Sequence, residues 1–371
     1  MKKFPISNIS LNGNESKYVT EAVKSTWISS SGNFINQFES IFSEFCSTSF
    51  GVTTSNGTTA LHLAIESLNI GIGDEVIVPS LTFAASANAI LHSGATPVFA
   101  DSLKDHWNMD PKRISEAISP KTKAILAVHL YGHPCDMLSI MKIAQKHNIF
   151  VIEDCAEAPG ATVNGKKVGS IGDVGCFSFF GNKIITTGEG GMCTTNDPDI
   201  NERMRILRDH GMDKSKRYWH NEVGYNYRMT NLSAAIGVAQ MEQVLDFIQK
   251  RQTLKCLYDK YINFNPNILK PIKSIHGKEV DWFYCLVLSP NTKIDRNYLM
   301  NELSKVDIDS RPFFYPIHLM PPYRKFNQIE AKFPYAESFG KYGLNLPLYP
   351  SLLEEDVQFI SREINKIFAK F

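Results

Sequence analysis

Ser178-Phe179-Phe180-Gly181-Asn182-Lys183-Ile184-Ile185-Thr186-Thr187-Gly188-Glu189-Gly190-Gly191-Met192 decides the fold of this chain. An apolar run closes on Phe180-Gly181, one lysine follows among Gly, Asn and Thr, and a second apolar run begins at Gly190. The pattern predicts two strands joined by a tight loop that presents Lys183 from a rigid scaffold. A lysine desolvated there gives up part of its proton affinity and becomes a nucleophile toward a carbonyl. A surface turn with a solvated lysine has the same local sequence, so the surroundings must decide.

Upstream, short apolar or β-branched runs recur at 51–54, 75–79, 97–101, 124–130, 150–154 and 175–180, and one more follows at 191–195. Helical patterns at 58–68, 84–92, 111–118 and 137–147 separate most of them. Strands alternating with helices predict βαβ units and a largely parallel sheet. The runs on either side of Lys183 are too close for a crossover helix, so that pair should be antiparallel. Two helices, at 15–24 and 34–46, precede the first strand. Downstream, a long helix is predicted from Leu232 toward Tyr261. A smaller α+β region follows, with a strand at 283–288 and helices at 298–305 and 354–368. Val357, Ile360, Ile364 and Ile367 give the last helix one apolar face. Two domains are expected, an N-terminal arm with the large domain over 1–250 and a small domain over 251–371.

The 371 residues are 43% hydrophobic and 21% charged with a formal charge of +1, as in an ordinary globular chain without a basic stripe for nucleic acid. No apolar stretch approaches the roughly 20 residues that span a bilayer, and the start lacks the apolar segment of a secretion signal. The seven cysteines are scattered and form no C-x-x-C pair. They read as reduced thiols in a cytoplasmic protein. His129 and His133 flank a strand end without a third ligand, so no metal site is expected. His62 reads as a packed histidine, and Arg203, Arg205 and Arg208 as a solvated helix face.

Ser55-Asn56-Gly57-Thr58-Thr59-Ala60 follows the first strand and opens a helix. Backbone amides and hydroxyls at such a start suit a phosphate, although the glycine spacing is neither that of a P-loop nor that of a dinucleotide fingerprint. An ordinary Thr N-cap fits the same residues. Asp154 ends the apolar strand 150–154, the usual position of a ligand-facing residue in a parallel sheet. A structural cap acid fits there equally well. In combination, a phosphate cradle, an acid at a strand end and a presented lysine describe a pyridoxal phosphate site. The lysine carries the cofactor and the acid keeps its ring nitrogen protonated.

These residues, with Trp27-Ile28-Ser29-Ser30, Pro79-Ser80-Leu81-Thr82-Phe83, His129-Leu130-Tyr131-Gly132 and Tyr225-Asn226-Tyr227-Arg228, make nearly the whole chain resemble the DegT-type nucleotide-sugar aminotransferases. The resemblance implies the aspartate-aminotransferase fold (fold type I), an α/β architecture with a mostly parallel seven-stranded sheet and a smaller C-terminal α+β domain. It implies that Lys183 binds pyridoxal 5′-phosphate covalently, with pyridoxamine phosphate as the alternate form, and that Asp154 pairs with the ring nitrogen. Phe83 is then expected on the cofactor face, and Gly57, Thr58 and Ser178 on its phosphate. Asn226 is expected to reach that phosphate from the neighbouring subunit of a homodimer. Many members carry Gln in place of Glu157 and His in place of Pro159. Glu157 facing the phenolic oxygen requires a shared proton, because two anions repel.

Ser178–Met192 and Arg311-Pro312-Phe313-Phe314-Tyr315-Pro316-Ile317-His318 look most like the members that aminate GDP-4-keto-6-deoxy-D-mannose with L-glutamate. Arg311, Tyr315 and His318 are the substrate-side candidates, although a Pro- and aromatic-rich loop also suits interdomain packing. UDP- or dTDP-linked keto sugars, or amination at the 3-position, remain within the resemblance. A cofactor-binding regulatory protein without turnover is the rival from another class.

Overall fold

The computed structural model describes residues 2–269, 272–274, 276–326 and 332–371. The first part runs α1 (Glu15–Lys24), α2 (Asn33–Cys46), β1 (Phe50–Thr54), α3 (Gly57–Ser67), β2 (Glu75–Pro79), α4 (Ala84–His92), β3 (Thr96–Ala100), α5 (Pro111–Ala117), β4 (Thr122–Val128), α6 (Met137–His147) and β5 (Phe150–Asp154). It continues through a small hairpin, β6 (Thr162–Val163) and β7 (Lys166–Lys167), to β8 (Val174–Ser178), β9 (Gly191–Thr195), α7 (Pro198–Arg208) and α8 (Asn231–Met241). The second part comprises α9 (Val244–Tyr261), β10 (Tyr284–Val287), α10 (Arg296–Ser304), β11 (Arg311–Pro312), α11 (Pro334–Tyr342), β12 (Gly343–Leu346) and α12 (Glu354–Phe368).

Seven strands form one sheet in the order β1-β9-β8-β5-β4-β2-β3. The pairs β2–β3, β2–β4, β4–β5 and β5–β8 are parallel, and β9 alone runs against its neighbours β8 and β1. Val76, Ile77, Ile125, Leu126, Val151 and Ile152 are wholly buried, because helices cover both faces. The carboxyl ends of β4, β5 and β8 therefore open together at one edge of the sheet, the ligand crevice of such folds. The expected α/β sheet, its antiparallel closing pair and the bounds of β2, β5, β9, α4, α6 and α12 agree with the sequence reading.

Three elements differ from expectation. The helix from 232 toward 261 is two helices parted at Glu242-Gln243. α8 is buried nearly all round against α1 and α2, whereas α9 buries one face, so the axis turns where the burial pattern changes. The Lys183 junction is a folded loop over 179–190 rather than a tight turn. Strand β4 stops at Val128, and a 3₁₀ turn, Leu130–Gly132, replaces its expected last residues.

β10, β12 and β11 form an antiparallel sheet in that order. Leu286, Leu344, Leu254, Leu299, Val357, Ile360 and Ile364 build a second core around it. Phe4 joins this core, and its backbone pairs with Asp307 and Asp309. Among the described residues no helix is long and apolar enough to cross a membrane.

Candidate active site

The start of α3 is set by Asn56, not by the threonine expected as its cap. Asn56 Oδ1 accepts from the Thr59 amide at 2.9 Å, and the Thr59 hydroxyl accepts from the Asn56 amide at 3.1 Å. The Gly57 and Thr58 amides, in the first turn, have no acceptor within the helix and line a cavity beside Ser178. A Cβ on Gly57 would lie 2.6 Å from the Ser178 Cβ, so only glycine lets the helix begin this close to the end of β8. The same approach explains Gly191, where a Cβ would lie 2.4 Å from the Asn56 carbonyl oxygen.

Asp154 ends β5 almost fully buried. Its Oδ2 accepts from the Ser86 hydroxyl at 2.8 Å and its Oδ1 from the Ala156 amide at 3.2 Å. Burial raises its pKa above the ordinary value, against the opposing pull of Ser86, Ala156 and Lys183.

The 179–190 loop is tied down by its own backbone and threonines. The Thr187 amide and the Thr186 hydroxyl both donate to the Phe179 carbonyl, and Gly188 turns the chain at φ +82°. Lys183 Nζ stands 3.7 Å from Glu157 Oε1 and 4.0 Å from the centre of the Trp282 ring. Burial lowers the lysine pKa, with the carboxylates of Glu157 and Asp154 working against it. Burial also pushes Glu157 up to about 7, opposed by Lys183 and by the Tyr131 amide. The Tyr131 amide donates to Glu157 Oε2 at 2.6 Å. An amine with lowered basicity and a carboxyl that titrates near neutrality thus face each other, a pair suited to holding and passing a proton.

The cavity measures about 670 Å³, and Gly57, Thr58, Phe83, Asp154, Glu157, Ser178 and Lys183 all line it. Phe83 keeps 58% of its surface exposed, a large aromatic face open to the space. The described lining does not include Asn226, Arg311, Tyr315 or His318. Asn226 is exposed and bonds to the Arg228 guanidinium at 3.0 Å. Arg311 is exposed and pairs with Asp309 at 3.2 Å, and Tyr315 is exposed. His318 is buried, with Nδ1 2.6 Å from the Ser80 hydroxyl and Nε2 3.3 Å from Glu337, so it ties its loop to the 80–83 segment.

Sequence reasoning missed Trp282 and Phe314, two aromatic residues that also line the cavity. Trp282 donates its indole N–H to the Asn182 carbonyl at 2.7 Å. The Asp281-Trp282-Phe283 run ahead of a strand was its signal, but nothing local ties it to a loop a hundred residues away.

Two further expectations change. His129 does gather partners, since one ligand atom each from His129, Glu153 and Cys155 lie within 4.8 Å of one another. These groups are already engaged: His129 Nε2 meets Glu153 Oε2 at 3.1 Å, and Glu153 Oε1 accepts from the Ile171 and Gly172 amides. Arg205 and Arg208 are not a solvated face. Both reach the buried Glu39, at 2.9 and 2.8 Å, and bond to the backbone of β1.

Beside this geometry stands a match of residues 10–365 to the model of a known family. The chain belongs to the DegT/DnrJ/EryC1/StrS aminotransferase family. The chain is 47% identical to a GDP-perosamine synthase of Escherichia coli O157:H7 over 100% of both chains. It is 47% identical to one of Caulobacter vibrioides, covering 97% of this chain and 96% of that one. The PLP form of Spr1654 from Streptococcus pneumoniae superposes with a TM-score of 0.92 at 29% identity, covering 100% of this chain and 99% of the other. Members of this aminotransferase family use pyridoxal phosphate. The chemistry of the donor set fits that group: amides and a hydroxyl at one end, an aromatic face, a buried acid and a buried amine.

Proposed function

We propose that this enzyme transfers the amino group of L-glutamate to C4 of GDP-4-keto-6-deoxy-D-mannose, giving GDP-perosamine and 2-oxoglutarate. The observation that carries the reading is Lys183 buried against Glu157 in the same cavity as Asp154 and the α3 amides. The two relatives at 47% identity support the choice of sugar.

When bound, pyridoxal phosphate supplies an aldehyde that takes up an amine and a ring that stores an electron pair, alternating with pyridoxamine phosphate as amino groups arrive and leave. In this reading Gly57, Thr58 and Ser178 bind the phosphate, and Phe83 covers the ring. Asp154 keeps the ring nitrogen protonated, and its burial makes that ion pair strong. Lys183 holds the cofactor at rest. With the cofactor bound, the freed Nζ would relay a proton away from glutamate Cα in one half-reaction and relay one to C4 of the sugar in the other, ending each half-reaction in its starting protonation state. Glu157, with its carboxyl near neutrality, shares a proton with the phenolic oxygen instead of opposing it as a second anion. Asn226, exposed and outside its own cavity, serves the phosphate of the neighbouring subunit in a homodimer. Arg311, Tyr315 and His318 are assigned to the approach of the nucleotide sugar, the first two at the surface and His318 as the anchor of their loop. We read the chain as a large domain over 1–250 and a small domain over 251–371, in a cytoplasmic enzyme.

The test is mass spectrometry of the product formed with glutamate from GDP-, UDP- and dTDP-linked keto sugars. GDP-perosamine is the expected product, and turnover confined to a UDP or dTDP sugar would replace the substrate assigned here. Lys183→Ala is expected to abolish both half-reactions and to remove the pyridoxyl tag left by borohydride.

A further inference from the structure

Tyr131 occupies a left-handed backbone conformation at φ +56° in the turn after β4. A non-glycine residue stays there only when its surroundings compensate. Its ring is completely buried, 4.5 Å from the Phe313 ring, 5.4 Å from Phe314 and 6.3 Å from Trp282 by centroids.

Three groups of this one residue bond to three separate segments. Its N–H donates to Glu157 Oε2 at 2.6 Å. Its carbonyl accepts from the Trp282 amide at 3.1 Å. Its hydroxyl accepts from the Phe314 backbone amide at 2.9 Å and faces the side chain of Asn345 in β12. Glu157, Trp282 and Phe314 all line the cavity, yet they come from the segments after β5, before β10 and after β11. Tyr131 itself does not touch the cavity, so its part is to place residues that do.

We propose that Tyr131 is a positioning residue whose hydroxyl holds the Phe314 wall in register with the Glu157–Lys183 pair and so places the keto sugar. The assignment rests on the transaminase reading. The two ends of the residue are separable. The backbone end orients Glu157 and depends on the buried ring keeping its left-handed conformation. The hydroxyl end acts on Phe314, with the Asn345 side chain beside it, and Tyr131→Phe deletes it while retaining the ring.

The test is Tyr131→Phe in the full chain, read in two ways. In the cofactor-free protein, hydrogen exchange followed by mass spectrometry should show faster exchange in peptides covering 313–316, with 178–192 unchanged. In the holoenzyme, KM for the keto sugar should rise roughly 5–10-fold, the effect of one lost hydrogen bond. KM for glutamate should move less than twofold, and the pH profile of the glutamate half-reaction should not shift. A generally loosened fold would instead raise exchange everywhere and slow both half-reactions alike, which overturns the assignment. Unchanged exchange at 313–316, or an unchanged sugar KM in an enzyme whose wild-type form is active, also overturns it. A wild-type chain that aminates no keto sugar removes the transaminase reading and this assignment with it.

Discussion

Lys183 Nζ and Glu157 Oε1 stand 3.7 Å apart with both side chains nearly closed to water, and burial pushes the Glu157 carboxyl up to about 7. Burial disfavours the charged form of each, so each is the other's main relief. A proton placed on either group serves both.

The pair makes stability depend on pH. Glu157 keeps its proton in the folded chain up to about 7, whereas the unfolded chain releases it near the ordinary value of 4.5. Between those values the folded state binds more protons, so stability falls as pH rises. Glu157→Gln should remove that fall in the cofactor-free protein, on the order of 1–3 kcal/mol across the window. Urea unfolding at pH 5 and pH 7.5 measures it, and equal slopes in both proteins would refute the assignment.

Asp154 depends on Ser86, whose hydroxyl bond lowers a carboxyl pKa that burial raises. Ser86→Ala should shift the acid limb of the rate profile to higher pH, since the carboxylate then forms later. Asp154→Asn should reduce kcat roughly 10²-fold or more by removing the charge altogether. Rate profiles between pH 5 and 9 distinguish the two variants.

Gly57→Ala sets a methyl group 2.6 Å from the Ser178 Cβ and forces α3 away from β8. Affinity for pyridoxal phosphate should fall about tenfold or more, with the thermal midpoint changed much less. Titration of the cofactor by absorbance gives the dissociation constant directly.

Glu39 neutralises Arg205 and Arg208, whose charges, together with the Thr53 amide, hold its carboxyl below the ordinary value despite its burial. Glu39→Ala leaves both guanidinium groups without their anion beneath β1. A loss of about 3 kcal/mol is expected in denaturant unfolding. Glu39→Gln should recover part of it through the hydrogen bonds alone.

The parts of this site that sit next to their own secondary structure were legible. Asp154 follows an apolar strand, Gly57 and Thr58 open a helix, and Lys183 lies between two strands, so each could be placed by local pattern. The cap at Asn56 was misread, because Thr and Asn both cap helices and only geometry shows which side chain accepts. Arg205 and Arg208 were misread for a different reason. A basic helix face looks solvated until a buried acid from a distant helix is brought under it. Trp282, Phe314 and Tyr131 were not legible as a group, since their bonds to the 182 loop, to one another and to Glu157 join segments far apart in the chain.

The sequence by itself determined that this chain would build a parallel α/β sheet and present one lysine and one acid from strand ends. Apolar periodicity, glycine and helix-start chemistry act over a few residues and leave their mark in the order of the letters. Only the tertiary structure decided how far those groups are stripped of water and which walls close around them. Desolvation and contact depend on what the rest of the chain packs against a site. The lowered basicity of Lys183, the neutral-range carboxyl of Glu157 and the three-way tie at Tyr131 belong to that second kind.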